Sequence, residues 1–480
     1  MDHSSARAPG ACHPVRMRRR GIVIALSAAL LAGIGVVGYT TVLPAWQCRR
    51  GSELVEADRL GLDLRQSQGL NTTGAVTDVV AALEDNGPFG GLSSGTVVAP
   101  WNAASVIAVD DGVLLASGSG STGNSFAGAV LSLDPASGSV RWARGYDGYA
   151  PGGGQVGEDI VTLVLPEDRT AAVSALDART GRWSACTWVG TNTEHGFAPT
   201  LATARIPETS EILLAQDVDD DPDLSLTRMT PGTGDVAWTV PMTGLPSADD
   251  LTVLGGAAVL SRFNERDIDY TVGLNLANQG TDTRTVAAFS TADGSPLWRY
   301  PAEEDPSSPV ISTVLGASDT GRGTLVLTTM TTPDLDSVTA DTVRWDLVGV
   351  DPRTGEPRWT IEIPYGARAS LTGDTLLYSS GPGDLHGLDV TTGAELWTLA
   401  HEADEWFQTN RAVTLGTQIL VPTNAEDLWL VDAATGTGTR TEMPDGVYSF
   451  TITDTSIVVG VETYTDGDAL LLFDRADPVA

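Results

Sequence analysis

The sequence predicts an all-β fold, an eight-bladed β-propeller of four-stranded antiparallel blades, preceded by one N-terminal transmembrane helix. Three observations predict it: a turn phrase that recurs along the chain, a second apolar run before each turn, and one long apolar segment near the N-terminus. The phrase is an apolar run ending in Asp, three residues, Gly, three residues and Trp. Its complete copies are Asp134-Gly138-Trp142, Asp351-Gly355-Trp359 and Asp389-Gly393-Trp397. Self-similarity of this kind marks a repeat architecture.

Four further copies are incomplete, and one is cut off by the end of the chain. Two copies keep Gly and Trp but replace Asp by Thr230 or Ser290: Gly234-Trp238 and Gly294-Trp298. Two others keep the turn and lose the Trp: Asp177-Gly181 and Asp432-Gly436. Asp474 begins the last copy. The eight anchors are therefore residues 134, 177, 230, 290, 351, 389, 432 and 474.

Each copy predicts a hairpin. Successive glycines lie 43 residues apart from Gly138 to Gly181, which suits four short strands, and 61 apart from Gly294 to Gly355, which implies an insertion. Asp accepts hydrogen bonds from backbone N–H groups ahead of it, and Gly supplies the positive φ that closes the turn. The Trp then starts the returning strand, where it covers a neighbouring sheet and its indole N–H reaches a carbonyl.

A second apolar run precedes each hairpin and supplies the inner strands. The clearest runs are residues 113–116, 375–378, 418–421 and 456–459. Short strands with turn residues between them and few helical segments predict twisted antiparallel blades. Blades arranged around an axis leave few exposed edges, which favours a propeller; an open solenoid is the alternative.

The last repeat predicts how the ring closes. It has three apolar runs but no fourth strand after its turn. An earlier segment must therefore complete this blade. Residues 96–101, which end in Trp101, are the predicted strand, and residues 53–64 are the alternative.

The N-terminal segment predicts a membrane anchor. Residues 21–43 are apolar or small and exceed the roughly 20 residues that a spanning helix needs. Arg16, Arg18, Arg19 and Arg20 precede this segment, which predicts a cytoplasmic N-terminus. A cleaved signal peptide is the alternative. The predicted organisation is a cytoplasmic tail (1–20), a transmembrane helix (21–43), a stalk (44–93) and an extracytoplasmic propeller (94–480) in a single-pass cell-membrane protein.

Two of the three cysteines, Cys48 and Cys186, would share an oxidising compartment, whereas Cys12 would be cytoplasmic. A disulfide between Cys48 and Cys186 would tie the stalk to the propeller. Two separate thiols are an equal alternative, because the sequence does not fix the distance between them.

The charge limits the classes of partner. The chain carries 62 acidic and 28 basic residues, a net charge of −34, and no lysine. Nucleic acid and anionic lipid head groups are repelled by such a surface, so no nucleic-acid partner is predicted. Abundant Arg, Ala, Gly and Asp without Lys suggests a GC-rich bacterial genome, such as that of an actinobacterium.

Three other patterns were weighed as sites. Gly118 to Gly123 fits the dinucleotide fingerprint G-x-G-x-x-G, but a strand follows it where the motif needs a helix, so a hairpin loop is favoured. Residues 217–223 hold five Asp, but Pro222 stands where a calcium loop needs Gly, so a solvated loop is favoured. His195, His386 and His401 form no metal-binding or catalytic motif, and no catalytic or metal-ligating residue is predicted.

The repeat resembles that of the pyrroloquinoline-quinone-type β-propellers, an eight-bladed family that includes quinoprotein dehydrogenases and the outer-membrane assembly lipoprotein of Gram-negative bacteria. The resemblance covers residues 95–480. It implies a non-enzymatic scaffold of the cell envelope that binds other proteins and needs no cofactor. A dehydrogenase using the quinone with calcium is the alternative, although those enzymes have a pair of adjacent cysteines that this chain lacks. A carbohydrate-binding or ligand-sensing propeller is the third reading.

Overall fold

A computed structural model shows a fold made almost entirely of β-strands. All residues that it describes lie in one compact unit, Ser52–Ala480. They are residues 55–56, 65–66, 81, 89–99, 103–109, 113–122, 125–133, 140–147, 153–156, 159–164, 170–191, 201–217, 224–231, 233–242, 250–261, 286–300, 310–318, 323–331, 344–380, 383–400, 405–424, 427–442, 447–452, 456–461 and 469–475. The predicted tail and transmembrane helix, residues 1–43, lie outside this set.

The described strands run in chain order through three early segments and eight blades. The early strands are β1 (Val55–Glu56), β2 (Arg65–Gln66) and β3 (Phe89–Ala99). Blades 1 and 2 contain β4 (Ala103–Val109), β5 (Val113–Thr122), β6 (Ser125–Leu133), β7 (Val140–Asp147), β8 (Gly153–Val156), β9 (Asp159–Val164), β10 (Thr170–Asp177) and β11 (Trp183–Thr191). Blades 3 and 4 contain β12 (Leu201–Arg205), β13 (Ile212–Asp217), β14 (Leu224–Thr230), β15 (Asp235–Met242), β16 (Asp250–Leu254), β17 (Ala257–Ser261), β18 (Val286–Ser290) and β19 (Pro296–Tyr300).

The second half of the chain repeats this order. Blades 5 and 6 contain β20 (Val310–Ser318), β21 (Thr324–Thr331), β22 (Arg344–Val350), β23 (Pro357–Ile363), β24 (Arg368–Thr372), β25 (Thr375–Ser379), β26 (Leu385–Asp389) and β27 (Glu395–Leu399). Blade 7 follows a 3-10 turn (Thr409–Arg411) and contains β28 (Val413–Leu415), β29 (Gln418–Pro422), β30 (Asp427–Asp432) and β31 (Gly438–Glu442). Blade 8 begins with β32 (Val447–Ile452), β33 (Ser456–Val461) and β34 (Ala469–Arg475).

Each blade is an antiparallel meander, and the described strands form eight sheets, as the repeat predicts. In blade 8 the fourth strand is β3, so the predicted closure through the segment before blade 1 is confirmed; Val97 and Val98 pair with Leu471 and Leu470. Trp101 lies outside the described residues. The first strands of neighbouring blades contact one another from blade 1 to blade 6 and from blade 7 to blade 8, and β24 of blade 6 contacts the 3-10 turn that precedes blade 7. β32 of blade 8 contacts β4 of blade 1, which closes the ring.

The sheets extend upstream of residue 94, the predicted start of the propeller. β1 pairs with β7 of blade 1, and β2 pairs with β3 of blade 8, so part of the predicted stalk belongs to the sheets. Strands of two residues carry no readable alternation, which is why the sequence pattern did not predict them.

Burial follows each strand's place in its blade. All five residues of β17 are buried, because a middle strand has a neighbouring blade on both faces, whereas four of the five residues of β19 on the outer rim are polar, aromatic or proline and none is buried. The core therefore lies between blades. Between blades 5 and 6, for example, Val326, Leu347 and Leu376 join one apolar cluster. Such burial removes apolar surface from water at roughly 25 cal/mol per Å².

The repeated turn is closed by its own Asp and Gly. In blade 5 the Gly355 N–H donates to the Asp351 carbonyl at 2.8 Å, and Asp351 Oδ1 accepts from the backbone N–H groups of Arg353 and Thr354. In the variant copy of blade 4 the Ser290 hydroxyl accepts from the Ala292 N–H instead. Short polar side chains therefore hold the turn by bonding the backbone ahead of them.

The repeat tryptophans join each blade to the next. Each indole N–H donates to a carbonyl in the following blade's turn: Trp142 to Ala178 at 2.9 Å, Trp238 to Ala292 at 3.1 Å, Trp298 to Pro352 at 2.9 Å, Trp359 to Val390 at 3.0 Å and Trp397 to Ala433 at 2.8 Å. The ring also lies against that turn's glycine, since a Cβ on Gly181, Gly355 or Gly436 would stand 2.5–2.6 Å from it. We call this pair of contacts the tryptophan latch.

A β-bulge precedes the latch position in six blades. The pairing register skips one residue of the outer strand there: Arg141, Ser184, Ala237, Leu297, Arg358 and Leu396. A bulge re-aims the next side chain and strengthens the local twist. In blade 7 the ladder has no bulge, and Arg440 stands at the latch position opposite Trp429. Bulge and latch are thus both missing from that blade.

Replacing Gly436 with Ala should destabilise the propeller more than the same change at Gly256. Both have positive φ, +70° and +82°, which costs an L-residue about 1–2 kcal/mol. Only at Gly436 would the new Cβ also collide with Trp397, which adds overpacking of about 1–3 kcal/mol. Urea unfolding of Gly436→Ala and Gly256→Ala measures the difference. Equal losses of stability would show that the Trp397 indole moves aside and that the latch does not require glycine.

Acid should weaken the turns by protonating their aspartates. The Thr435 hydroxyl, followed by the Thr435 and Ala434 N–H groups, lowers the pKa of Asp432 below its ordinary value. A carboxylate with a depressed folded-state pKa adds stability above its unfolded pKa and loses it as the pH falls through the folded pKa. Melting of wild type and Asp432→Asn from pH 7 to pH 3 should show an advantage of wild type that shrinks below about pH 4. A difference that stays constant across this range would contradict the assignment.

Candidate functional site

The two ends of the blades form faces of different character. Because strands alternate in direction within a blade, the connections from first to second and from third to fourth strand leave from one face, and all others leave from the opposite face. The turn face carries the repeat turns 351–356, 390–394 and 433–437. The insertion face carries the connections 262–285 and 332–343. The Arg353 Nε, in a third-to-fourth connection, donates to the Gly255 carbonyl in a first-to-second one at 2.5 Å, which confirms that both lie on the turn face.

Extra chain length is confined to the insertion face. From blade 1 to blade 8, no connection on the turn face is longer than six residues, as in 351–356. On the insertion face the connection 262–285 has 24 residues, and 332–343 has 12. Loops vary freely where they do not hold the scaffold together. The insertion face is therefore where this chain differs most from a plain repeat.

The described groups of the turn face are used inside the fold. Arg358 donates to Thr324 Oγ1 at 3.0 Å and to the Gly323 carbonyl, and it pairs with Asp351 at 2.7 Å. Arg144 donates to the Gly181 carbonyl at 2.9 Å. With the latches, these bonds make the turn face a structural surface.

Aromatic and basic side chains gather on the insertion face of blades 5 to 7. The Tyr365 ring is 39% exposed and lies 5.8 Å from the buried Trp345 ring. The Arg368 guanidinium lies over the Trp406 ring at 5.6 Å. Tyr, Trp and Arg are the residues that dominate binding energy in protein interfaces. We call Trp345, Tyr365, Arg368 and Trp406 the aromatic patch.

The segment that carries Trp406 is held firmly. Phe407 is completely buried and its backbone forms a β-bridge with Thr423, while the Asn424 Oδ1 accepts from the Trp406 N–H at 2.6 Å. Beside it Arg440 pairs with the buried Asp427 and, at 3.0 Å, with Glu405. A fixed aromatic platform loses little entropy when it binds a partner.

A polar cluster lies between blades 5 and 6, near the insertion end of blade 6. The Tyr378 ring stacks on His386 at 4.3 Å between centroids, and His386 Nδ1 lies 3.1 Å from Glu395 Oε2 and 3.2 Å from Thr398 Oγ1. Burial, and then the Glu395 carboxylate, raises the pKa of Tyr378, so its phenol stays a hydrogen-bond donor at neutral pH. The cluster can offer hydrogen bonds to a partner.

The cavities lined by described residues include two between neighbouring blades. One, of about 430 Å³, lies on the turn face between blades 5 and 6, where the Ser318 hydroxyl donates to Asp374 at 3.0 Å. The other, of about 250 Å³, lies on the outer rim between Val240 of blade 3 and Arg299 of blade 4. Neither cavity contains a residue of the aromatic patch.

The predicted sites fall in different places. The turn residues from Asp177 to Gly436 lie on the turn face or at the latches, whereas Asp134 and Gly138 lie outside the described residues. Cys48, His195, His401 and residues 218–223 lie outside them too, and the backbone of Cys186 lies in β11 opposite Ser174. The segment Gly118–Thr122 is part of β5 and pairs with β6, so it is a strand rather than the predicted loop.

The quinone alternative would need ligands for a calcium ion and a pair of adjacent cysteines. Among the described residues, no three His, Cys, Asp or Glu side chains lie close enough together to hold a metal ion. The sequence also lacks the adjacent cysteines expected beside the quinone. The turn-face cavity has one carboxylate, Asp374, already bonded to Ser318. No step of chemistry through this cofactor follows from the structure.

Sequence reasoning missed the aromatic patch. Tyr365 and Trp406 lie in connections, outside the repeated phrase, and no spacing rule brings them together. The stacked pair of Tyr378 and His386 was accessible in principle, because the two residues are cross-strand partners in adjoining strands. Predicting this pair would have required the strand register of blade 6.

Several solved structures are similar to this chain. BamB from Moraxella catarrhalis is 16% identical, covers 78% of this chain and 99% of that chain, and gives a TM-score of 0.44. Quinohemoprotein alcohol dehydrogenase from Comamonas testosteroni is 14% identical, covers 91% and 85%, and gives 0.46. The computationally designed Ika8 protein is 12% identical, covers 78% and 97%, and gives 0.48. No curated protein matches the sequence.

No helix in the part of the chain that the structure describes is both long and apolar enough to cross a membrane. The predicted span, residues 21–43, lies outside that part.

A family model described as "Outer membrane protein assembly factor BamB" matches the repeats directly. It matches residues 233–371 and 344–474, which together span half of the chain. The matched region runs from the turn of blade 3 to the last strand of blade 8 and so contains most of the latches. The chain belongs to this BamB-like family of pyrroloquinoline-quinone-type β-propellers.

Proposed function

We propose that this chain is a non-enzymatic scaffold of the cell envelope that binds other proteins through its insertion face. It is anchored in the cell membrane by residues 21–43, with the propeller outside the cytoplasm. The observation that carries the proposal is the division between the two faces. The turn face is occupied by latches and turn bonds, whereas the insertion face carries all the long connections and the aromatic patch.

The family supports the envelope location. Its description names an outer membrane protein assembly factor. In the present chain the apolar segment 21–43 with arginines before it supports a single-pass anchor with a cytoplasmic N-terminus. The net charge of −34 supports protein partners over nucleic acid.

The aromatic patch supports protein binding in particular. Tyr365 is exposed, while the neighbouring Trp345 is only 8% exposed. The aromatic patch is therefore apolar at its base and polar at its rim. This arrangement suits a hot spot surrounded by residues that exclude water. Other connections of the chain are acidic in sequence, such as 218–223 with four Asp and 301–309 with three acidic residues, and such charges favour partners that carry basic side chains.

A photo-crosslinking residue at position 365 should capture envelope proteins in living cells, whereas one at Ala434 should not. Ala434 is also exposed but lies in a turn of the turn face. Replacing Trp406 by Ala should reduce the yield of adducts from position 365 several-fold, because the platform loses a ring. Adducts from position 434 and none from position 365 would place binding on the turn face and contradict the proposal.

The enzymatic alternative is tested by adding the quinone. Residues 49–480 should show no saturable binding of pyrroloquinoline quinone with calcium by calorimetry, and no dye-linked oxidation of alcohols or sugars. The reason is the absence from the sequence of adjacent cysteines and the lack of a metal-holding cluster among the described residues. Saturable binding with turnover would make the protein a quinoprotein enzyme.

A further inference from the structure

We call the junction between blade 8 and blade 1 the seam; the strand beside it, β3, joins the rest of blade 8 through an irregular ladder. Val97 lies five positions after Leu92 on β3, whereas their partners Leu471 and Phe473 lie two positions apart on β34. The other described ladders shift by one residue at a time, as at Val314 and Gly316 in blade 5. An interrupted ladder leaves backbone groups without cross-strand bonds and holds less firmly. The strand that closes the ring is therefore its least regular one.

A short segment before β3 is attached to both sides of this seam. β1 adds a fifth strand to blade 1, where Val55 pairs with Gly145 and Glu56 with Arg144. β2 adds a fifth strand to blade 8, where Arg65 and Gln66 pair with Ala99 and Val98. In the other six blades no fifth strand is present among the described residues. The two blades that meet at the seam are the ones that carry the extra strands.

The two added strands are tied closely to each other. Eight residues, 57–64, connect Glu56 to Arg65. Nine residue steps reach about 30 Å at most. When one strand is paired, such a short connection holds the other near its edge at an effective concentration on the order of millimolar. The pairings on blades 1 and 8 therefore support each other.

We propose that β1 and β2 form a clasp that holds blade 1 and blade 8 together across the seam. The stability of the ring then depends on strands of which the first begins at Val55, with eleven residues between it and the predicted membrane span 21–43. The clasp differs from an ordinary edge strand because it works only when both of its ends are paired. It does not depend on the proposed scaffold role, since its effects are measured without any partner.

Proline substitutions in the full chain, purified in detergent, test the clasp. Glu56→Pro weakens β1 and Gln66→Pro weakens β2, because proline has no N–H and fits a ladder poorly. Gln68→Pro, just outside β2, is the matched control. We expect each strand variant to lower the melting temperature by about 2 °C or more and the control to leave it unchanged. We expect the double variant to melt close to the single variants, because either break opens the clasp.

Hydrogen exchange gives the second measurement. Glu56→Pro should speed exchange not only in its direct partner, β7, but also in β3 and β34 across the seam, while β18 and β19 of blade 4 stay as in wild type. Losses that simply add in the double variant, or faster exchange confined to β7, would show two independent edge strands and overturn the proposal. Unchanged melting in both single variants would overturn it as well.

Discussion

The contact between each repeat tryptophan and the glycine of the following turn determines how the blades fit together. The ring of Trp397 occupies the space where a side chain of residue 436 would be, and its N–H reaches the Ala433 carbonyl in the same turn. One side chain thus contacts the turn of the next blade twice, by packing against its glycine and by a hydrogen bond to its backbone. Gly436 is needed twice, for its positive φ and for its missing Cβ.

In every latched blade, one end is occupied by contacts that hold the blades together. The Asp side chain, the glycine and the indole must all meet within one short turn, so no residue can be inserted there without losing the contact. The opposite ends carry no such constraint, and the long connections 262–285 and 332–343 begin there. The contrast between short turns on one face and long connections on the other therefore follows from packing.

The repeated phrase allowed the fold to be predicted from sequence because Asp, Gly and Trp each meet a structural requirement of the turn or of the contact with the next blade. The propeller, its eight sheets and the closure by the segment before blade 1 could all be inferred from it. The bulge before Trp397, which aligns Leu388 with Glu395 and Gly387 with Trp397, could not, since a bulge leaves no period in the sequence. The aromatic patch and the stacked pair of Tyr378 and His386 depend on register and on non-repeated connections. Pairing of β1 and β2 was hidden by their length of two residues each.

The described latches are unevenly distributed around the ring. Described latches join blades 1 to 2 and, without a break, blades 3 to 7. At the latch position of blade 2 stands Ala185, and in blade 7 stands Arg440, so the joints leading to blades 3 and 8 lack the tryptophan. In blade 7 the guanidinium instead pairs with the buried Asp427, within its own blade.

Blade 8 is thus joined to blade 7 without the repeat tryptophan, and its own fourth strand, β3, joins β34 through an irregular ladder. Local opening in a protein begins where the contacts are weakest. β3 also carries β2 on its other edge, and the partner strand β1 lies on blade 1. By tying β3 to blade 1, the clasp helps to keep this strand in place beside β34, at the described ladder that departs most from the regular pattern.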